Sequence, residues 1–446
     1  MNGVRYQVGR RLHHLGRFIR LNARDLRHLD AAMLRRKVRT LVVHHLRSRA
    51  ASLLLLPVTL SIALGMRVLR PVVVVRLGAI NAARIGHLAV DPEMCAAEKE
   101  VGVWLPRRPV FDAWYVWRGA YPVANGQMLA MWRRSLRVWP SWLWRRVDDI
   151  SRLLPGATAH VVPFRKGSES LPDHHQGDPF QAMRRTQPHV SFTAAEAAEA
   201  RRQVEVAGLD PDAPHVCVLV RDPVYQRAVV AGDHANNDFR DSDVAKFVPA
   251  MRWLADQGAT VYRMGARVES ALPAAHPRVV DYATNGMRTD LLDIWLAATC
   301  RIFLSTGAGL DSVATVFRRQ RVFADLAQLI GLNLTLGALS IPKLLRSDAD
   351  GRLLTLRESV AAGALSFVDS VHLTQRGLSL RPNTPDEILE VVREGYERTM
   401  GTWQPRPDED ELQRRMVAAL PAMMTVGGVT GRVGHEFLRA NPWWLD

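Results

Sequence analysis

Four groups of polar or small residues in the second half of the chain follow segments with the pattern of buried strands. The groups are Arg221-Asp222, Arg263-Met264-Gly265, Asp281-Tyr282 and Ser305-Thr306-Gly307-Ala308-Gly309. Guanidinium groups bind phosphate oxygens through paired hydrogen bonds, and a small-residue turn that opens a helix offers hydroxyl and backbone N–H donors. Ligands of parallel α/β sheets bind beyond the carboxyl ends of the strands, so these groups predict a diphosphate site. A lone arginine at a strand end would otherwise be an ion-pair partner.

A second candidate site lies in the first half, where Arg84-Ile85-Gly86-His87 is followed by Asp91-Pro92-Glu93. Histidine titrates near neutrality, which suits a general base, and Gly86 would let a ligand or the other half of the chain approach closely. His87 could instead be a helix-capping or core histidine, and Asp91 and Glu93 are alternative bases. Because Asp91 precedes a proline, it is expected to be extended.

Several chemistries have no motif in this sequence. Neither G-x-G-x-x-G nor G-x-x-x-x-G-K-[ST] occurs, and Cys95, Cys217 and Cys300 form no C-x-x-C pair. The chain is therefore expected to have no dinucleotide cofactor, no ATP-hydrolysing P-loop, no zinc site and no disulfide framework. No metal and no cofactor is predicted.

The elements that must position these residues alternate between strands and helices on both sides of a Pro- and Asp-rich boundary near residue 210. Strands are predicted at 71–75, 101–104, 113–117, 215–220, 259–263, 279–282 and 301–304. Capping boxes predict helix starts at Thr193 and Thr384. The pattern predicts two doubly wound, Rossmann-like α/β domains that face each other across a cleft. The expected divisions are an acceptor-side domain at 71–209, a donor-binding domain at 210–383, and helices at 384–446 that pack back on the first domain.

Charge is concentrated at the start of the chain. Residues 1–50 hold 13 Lys and Arg against two Asp, whereas the whole chain has a net charge of +15. An uncharged, Leu-rich segment follows at 50–66. This combination predicts that residues 1–70 associate with an anionic membrane surface through a basic stretch and a shallow apolar insertion. A buried helix packed on the body is the alternative, and 50–66 could span or only insert.

A set of short motifs occurs in order along residues 70–345. They are Arg84-Ile85-Gly86-His87-Leu88 with Asp91-Pro92-Glu93, Val220-Arg221-Asp222 with Tyr225, Phe239-Arg240-Asp241, Tyr262-Arg263-Met264-Gly265, Asp281-Tyr282-Ala283 and Ser305-Thr306-Gly307-Ala308-Gly309. In this order they resemble a bacterial family of glycosyltransferases associated with surface-polysaccharide gene clusters. That family usually has Tyr-Arg-Asn where this chain has Phe239-Arg240-Asp241. The layout is also similar to the wider GT-B superfamily, including heptosyltransferases and fucosyltransferase-like enzymes.

The resemblance implies a donor site on the second domain and an acceptor site on the first. Arg221 stands where fucosyltransferase-like enzymes place an arginine on the donor diphosphate, and Arg240 would join the same site. Arg84 and Gly86 would lie on the acceptor side. His87 follows Gly86 where heptosyltransferases carry a carboxylate base.

The sequence thus predicts a metal-independent glycosyltransferase that uses a nucleotide-sugar donor and a lipid-linked or polysaccharide acceptor. We expect it at the cytoplasmic face of the bacterial inner membrane, as a peripheral or monotopic protein. A catalytically silent, GT-B-shaped scaffold that binds nucleotide sugars is the alternative. Nucleic acid is not expected as a partner, because the basic leader runs directly into an apolar segment. The sugar, the nucleotide, the acceptor, the stereochemistry and the oligomeric state stay open.

Overall fold

The protein has a mixed α/β fold built on parallel sheets. A computed structural model describes residues 53–446 apart from 120, 166–170, 172, 175, 225–234, 273–275, 366 and 368–369. The described elements divide between two parallel sheets, of three and seven strands, and one antiparallel pair.

The first sheet has three parallel strands in the order β1-β2-β3, with helices on both faces. Its elements are α1 (Leu56–Leu69), β1 (Val74–Asn81), α2 (Ile85–Glu100), β2 (Val110–Trp117), α3 (Gly126–Ser135), β3 (Val138–Trp139) and α4 (Ser141–Ser151). Leu77 and Ala113 pack on one face with residues of α1 and α4. Ile80 and Trp114 face the other side, where α2 and α3 cover them. This alternation is the two-residue period of a strand buried on both faces.

Two helices connect the sheets: α5 (Ala182–Arg185) and α6 (Ala194–Val206). The capping box predicted at Thr193 is present, since the Thr193 side chain accepts from Glu196 N–H and the Glu196 carboxylate accepts from Thr193 N–H. Helix α6 packs against the second half of the chain, where the Thr289 hydroxyl donates to the Gln203 side chain at 2.8 Å.

The second sheet has seven parallel strands in the order β12-β9-β8-β7-β4-β5-β6. Its first elements are β4 (His215–Leu219), α7 (Val248–Asp256), β5 (Thr260–Arg263), β6 (Val279–Val280), α8 (Asp290–Thr299), β7 (Ile302–Ser305), α9 (Asp311–Val316), β8 (Gln320–Leu326) and β9 (Leu339–Pro342). The chain extends the sheet on one side from β4 to β6, then crosses to β7 on the other side of β4. The strand order therefore reverses between β4 and β7, which is where open α/β sheets bind ligands.

The last part of the chain completes this second sheet and its cover. It contains β10 (Leu344–Ser347), α10 (Leu356–Ala361), α11 (Ser370–Gln375), β11 (Leu378–Arg381), α12 (Pro385–Met400), α13 (Glu409–Ala418), β12 (Arg432–Val433) and α14 (His435–Ala440). The prediction that residues 384–446 pack back on the first domain is wrong. Ile388, Val391 and Val392 of α12 lie in the core of the second half, and Gly395 lies directly against Val322 with no room for a side chain. The apolar face of α12 matches the second sheet, so the helix packs there.

Two local predictions in the first half are also wrong. Residues 101–104 form a turn instead of a strand, with the left-handed backbone of Gly102 and Trp104 breaking any extended run. Asp91 is helical instead of extended, because Pro92 lies inside α2 without ending it. A proline disfavours the α conformation of its predecessor, but here packing of the buried α2 overrides that preference.

The predicted membrane-associating segment lies mostly at residues 1–52, outside the described residues. Its end forms α1, which starts just before Pro57 and packs on α4 and β1. Among residues 53–446, as far as they are described, no helix has both the length and the apolarity that a membrane span requires.

Candidate functional site

A cavity of about 720 Å³ lies between the two parallel sheets, with residues from both halves in its walls. The first half contributes Arg84, the N-cap of α2, together with Gly86 and His87 from the first turn of α2. The second contributes the residues that come after β4, β5 and β7. Of the predicted site residues these are Arg221, Asp222, Arg240, Gly265, Thr306, Gly307, Ala308 and Gly309. The structure thus brings together most of the residues that the sequence singled out in each half.

The floor of the cavity is the point where strand order reverses. Arg221 follows β4, and its backbone N–H donates to the Thr306 hydroxyl after β7 at 2.9 Å. This bond ties the two diverging strand ends together. A ligand bound at this reversal would contact Arg221 and Thr306, which lie at the carboxyl ends of the two central strands.

The turn at Ser305–Gly309 differs from the predicted phosphate-binding turn in one respect. The N–H groups of Gly307 and Ala308 donate to the Ser305 hydroxyl oxygen at 3.1 and 3.3 Å, and Ala308 N–H also donates to Asp311 Oδ2 at 2.8 Å. These donors are therefore satisfied within the turn, instead of being free for phosphate. The Ser305 hydroxyl and the buried Asp311 carboxylate lie within hydrogen-bonding reach of the turn, so they take the donors that a phosphate would need.

Positive charge in the cavity comes instead from arginine side chains. Arg221 Nε donates to Asp241 Oδ1 at 3.0 Å, and Arg240 Nη2 donates to the Gly307 carbonyl at 2.8 Å. Burial, followed by the nearby charges of Arg221 and Arg84, lowers the pKa of Arg240 to about 10. The charges of Arg221 and Arg84 thus act unfavourably on Arg240, while Asp311 and Asp241 partly offset them. A diphosphate would relieve that repulsion.

On the first-half wall, which also holds Arg84, His87 and Asp91 form a hydrogen-bonded pair. His87 Nδ1 lies 2.9 Å from Asp91 Oδ2, one helical turn along α2. The histidine side chain is 24% exposed and the aspartate 10%, so the imidazole faces the cavity with the carboxylate behind it. A carboxylate that accepts from Nδ1 favours the tautomer with the lone pair on Nε2. The sequence left His87 and Asp91 as alternatives, and the structure makes them partners.

Four predicted site residues are held away from the cavity walls by partners of their own. Arg263 is 2% exposed and its Nη1 donates to Asp281 Oδ1 at 3.0 Å. Tyr282 is fully buried and its hydroxyl donates to Asp293 at 3.0 Å. Glu93 is fully buried and pairs with His189 and Arg318. Arg263 and Asp281 therefore neutralise each other, and Glu93 joins α2 to the second half of the chain.

Four charged residues of the cavity walls were not predicted as site residues: Arg267, Arg288, Asp293 and Asp311. Asp293 Oδ2 accepts from Arg288 Nη2 at 2.6 Å, and burial raises the pKa of the aspartate to about 6. The sequence signal for Asp311 was its place in the first turn of the helix after the Ser305–Gly309 turn, where acidic residues commonly cap N–H groups. Asp293 lies within an apolar helix, which marks it as a polar residue that needs a partner.

The two halves touch through backbone at the edge of the cavity. A Cβ atom on Gly86 would lie 3.2 Å from Gly309 Cα, and one on Gly309 would lie 3.1 Å from Gly86 N. Nearby, Asn125 Nδ2 donates to the Asp290 carbonyl at 3.0 Å, and Gly126 N–H donates to the Asp290 carboxylate at 2.6 Å. The predicted close approach at Gly86 is therefore made by the other half of the chain.

Asp311 gives a testable dependence of stability on pH. Burial raises its pKa from 3.8 to about 6, although bonds from the Ser305 hydroxyl and Ala308 N–H act in the opposite direction. The folded state therefore binds this proton more tightly than the unfolded chain, and the resulting stability is lost as pH rises from about 4 to 6. Asp311→Asn should raise the free energy of unfolding by about 2 kcal/mol more at about pH 7.5 than at about pH 4.

Urea denaturation at the two pH values measures this difference. Exposed Asp386 is the matched control, since Asp386→Asn should bring no gain that grows with pH. An Asp311→Asn gain that is equal at both pH values would show that the carboxylate is not held at a raised pKa.

The fold defines a mixed α/β protein with two parallel sheets, and residues of both halves line one cavity. Comparison with solved structures returns glycosyltransferases. An ADP-heptose lipopolysaccharide heptosyltransferase II of E. coli aligns at 11% identity and TM-score 0.37 over 73% of this chain and 99% of that one. A glycosyl transferase family 9 protein from Veillonella parvula aligns at 7% identity and TM-score 0.42 over 72% and 97%. An E. coli heptosyltransferase solved with ADP aligns at 13% identity and TM-score 0.29 over 60% and 93%.

No family model and no curated protein matches the sequence. The alignments to solved structures are too distant to assign an activity, so the function is inferred from the cavity itself. Within the described part of the chain, no group of three or more His, Cys, Asp or Glu side chains is placed to hold a metal ion.

Proposed function

We propose that the protein is a glycosyltransferase that moves a sugar from a nucleotide-sugar donor to an acceptor hydroxyl. The observation that carries the proposal is that Arg84, Arg221, Arg240 and His87 line one cavity, with Asp91 hydrogen-bonded to His87 behind the wall. A cationic cluster suits a leaving diphosphate, and a histidine oriented by a carboxylate suits proton removal from a hydroxyl.

The donor diphosphate would lie at the strand reversal, against Arg221, Arg240 and Thr306. His87 Nε2 would take the proton of the acceptor hydroxyl as its oxygen bonds to the anomeric carbon. The bond from that carbon to the diphosphate breaks, and the diphosphate leaves with the electron pair. Asp91 would hold the imidazole in place and stabilise its charged form. Arginine charge compensates the negative charge that develops on the leaving group.

The finer features of this function are also proposals. The acceptor would be a lipid-linked or polysaccharide glycan of the bacterial cell surface, met at the cytoplasmic face of the inner membrane. Residues 1–70 would dock the enzyme there, since their basic and apolar composition suits an anionic lipid surface. No cofactor is required for the transfer as written.

Binding of a nucleoside diphosphate should raise the melting temperature by several degrees at saturating ligand. At a hundredfold excess over the dissociation constant the native state gains about 2.7 kcal/mol, and that gain is read directly in a thermal-shift assay. The corresponding nucleoside, which lacks phosphate, is the control and should shift the melting temperature little, because the arginine cluster has nothing to bind.

The proposal fails if nucleoside diphosphates and nucleotide sugars of every base leave the melting temperature unchanged. Stabilisation by a nucleotide sugar with neither transfer nor hydrolysis would instead favour the silent scaffold.

A further inference from the structure

A second cavity, of about 450 Å³, lies on the first half of the chain at the opposite edge of the sheet from the proposed active site. It is bordered by Val74 at the start of β1, by the turn at 104–108 that leads into β2, and by residues 158–163. These are the amino ends of the strands, whereas the active-site candidates lie beyond the carboxyl ends. The two cavities share no lining residue.

Three exposed arginines border this second cavity: Arg70, Arg107 and Arg108. Among the described residues none of the three has a carboxylate within ion-pair distance. The nearby carboxylate of Asp112 is already used, since Arg76 Nε and Nη2 approach it at 2.6 and 3.0 Å and Lys99 Nζ at 2.6 Å. The cavity therefore carries a local excess of positive charge that the described residues do not neutralise, and an anionic group would fit it.

The same cavity has an exposed apolar rim. Trp104 is 45% exposed and Leu105 47%, and both line it. Leu69 and Val72, which flank Arg70 in the chain, are 50% and 72% exposed. A site for a small soluble anion gains nothing from such a rim. Arginine beside exposed Trp and Leu is instead the composition of a surface that enters the headgroup region of a bilayer.

The rim is held rigidly. The indole N–H of Trp104 donates to the buried Glu98 carboxylate at 2.9 Å, and the Trp104 carbonyl accepts from Arg76 at 3.1 Å. These bonds keep Trp104 in a left-handed backbone conformation, with a φ of 60°, which is costly for a side chain of this size. The Trp104 ring also packs edge-on against Phe180, with ring centroids 5.6 Å apart, so the partly exposed ring is held at this surface.

We propose that this cavity binds the phosphate of an anionic phospholipid headgroup, with Trp104 and Leu105 inserted beside it in the bilayer interface. Charge complementarity selects the occupant, because Arg70, Arg107 and Arg108 border the cavity without a carboxylate partner among the described residues. The proposal rests on the proposed function and deepens it by assigning a lipid-phosphate site within the described part of the chain. It concerns a surface remote from the nucleotide site.

A fluorescent label at position 105 tests this directly in the full chain. The three native cysteines are buried, so an environment-sensitive thiol dye should react selectively with Leu105→Cys. With vesicles that contain about 30% phosphatidylglycerol in phosphatidylcholine, the emission should shift to the blue as the label enters the interface. The matched control is Val206→Cys, an exposed apolar position at the end of α6, whose label should not shift.

The arginines are tested in the labelled protein with Arg107→Gln and Arg108→Gln together. Loss of two basic residues should raise the vesicle concentration for half-maximal shift by roughly thirtyfold, since each is worth about 1 kcal/mol at an anionic surface. The control is the double variant Arg357→Gln with Arg376→Gln, which removes the same charge from exposed positions on the second half. It should change the half-maximal vesicle concentration far less.

Three results would overturn the proposal: no shift of the label at 105, an equal shift at 206, or an arginine variant that binds like its control. If free inorganic phosphate stabilised the protein and vesicles did not shift the label, the cavity would be a site for a soluble anion instead of a lipid headgroup. Stabilisation by nucleoside diphosphate does not depend on this cavity, so either proposal can fail alone.

Discussion

Arg240→Gln is expected to lower kcat/KM for sugar transfer by about 10²- to 10³-fold, the usual effect of removing one preorganised donor from a developing negative charge. The reason lies in the unliganded protein. Arg240 is largely buried, and its pKa is lowered to about 10 by burial and by the charges of Arg221 and Arg84. A cation that is partly buried beside other positive charges lowers the free energy of unfolding, and a bound diphosphate would restore it by neutralising that charge.

Because the environment of Arg240 is unfavourable without ligand, its effect on stability distinguishes a ligand-binding arginine from a structural one. Without ligand, Arg240→Gln should leave the melting temperature unchanged or raise it, while the stabilisation by nucleoside diphosphate is lost. Arg278→Gln is the matched control, since Arg278 is exposed and its side chain donates to the Gly258 carbonyl, far from the cavity walls. A large drop in stability of the Arg240 variant, with diphosphate stabilisation intact, would make Arg240 a structural residue and remove the donor-site assignment.

His87→Ala should lower kcat by about 10²- to 10⁴-fold, the range expected for loss of a positioned general base. Stabilisation by nucleoside diphosphate should persist, because Arg221 and Arg240 of the second half are untouched. Asp91→Asn should lower kcat by a similar factor, since an amide that donates to Nδ1 favours the tautomer with the proton on Nε2, which cannot act as a base. Steady-state kinetics with the thermal-shift assay separate these effects.

Glu93 provides the comparison within the same helix. Its carboxylate is buried against His189 and Arg318, so Glu93→Gln should lower stability and change kcat far less than His87→Ala. An unchanged kcat in His87→Ala would show that another residue is the base. Loss of diphosphate binding in that variant would show that His87 acts in donor binding instead.

The strand ends of the second sheet were predictable from the sequence because buried parallel strands are short apolar runs, and the first polar residue after each run marks its carboxyl end. Arg221 and Thr306 were grouped for this reason, and they are hydrogen-bonded neighbours in the structure. The position of a residue after a strand does not determine which way its side chain turns. Arg263 also lies at a strand end, yet it is buried with Asp281, eighteen residues later in the chain.

The first half was harder to predict because packing overrides local preference there. The spacing of His87 and Asp91 is that of neighbours on a helix face, but Pro92 argued against a helix at that point. The destination of α12 was likewise not predictable from its own residues. Its apolar stripe shows only that one face of the helix is buried. The surface it packs on is set by the fit between Gly395 and Val322, which the sequence does not show.

The contact between Gly86 and Gly309 constrains how the two halves can change over evolutionary time. Because backbone meets backbone there, a side chain at either glycine would press on its neighbours: 3.2 Å from Gly309 Cα in one case and 3.0 Å from the Ile85 side chain in the other. A substitution at either glycine therefore requires its neighbour to move by a few tenths of an ångström, so the two positions are expected to change together. Under the proposed function this contact joins the donor and acceptor sides, and specificity is expected to diversify in the residues that surround it.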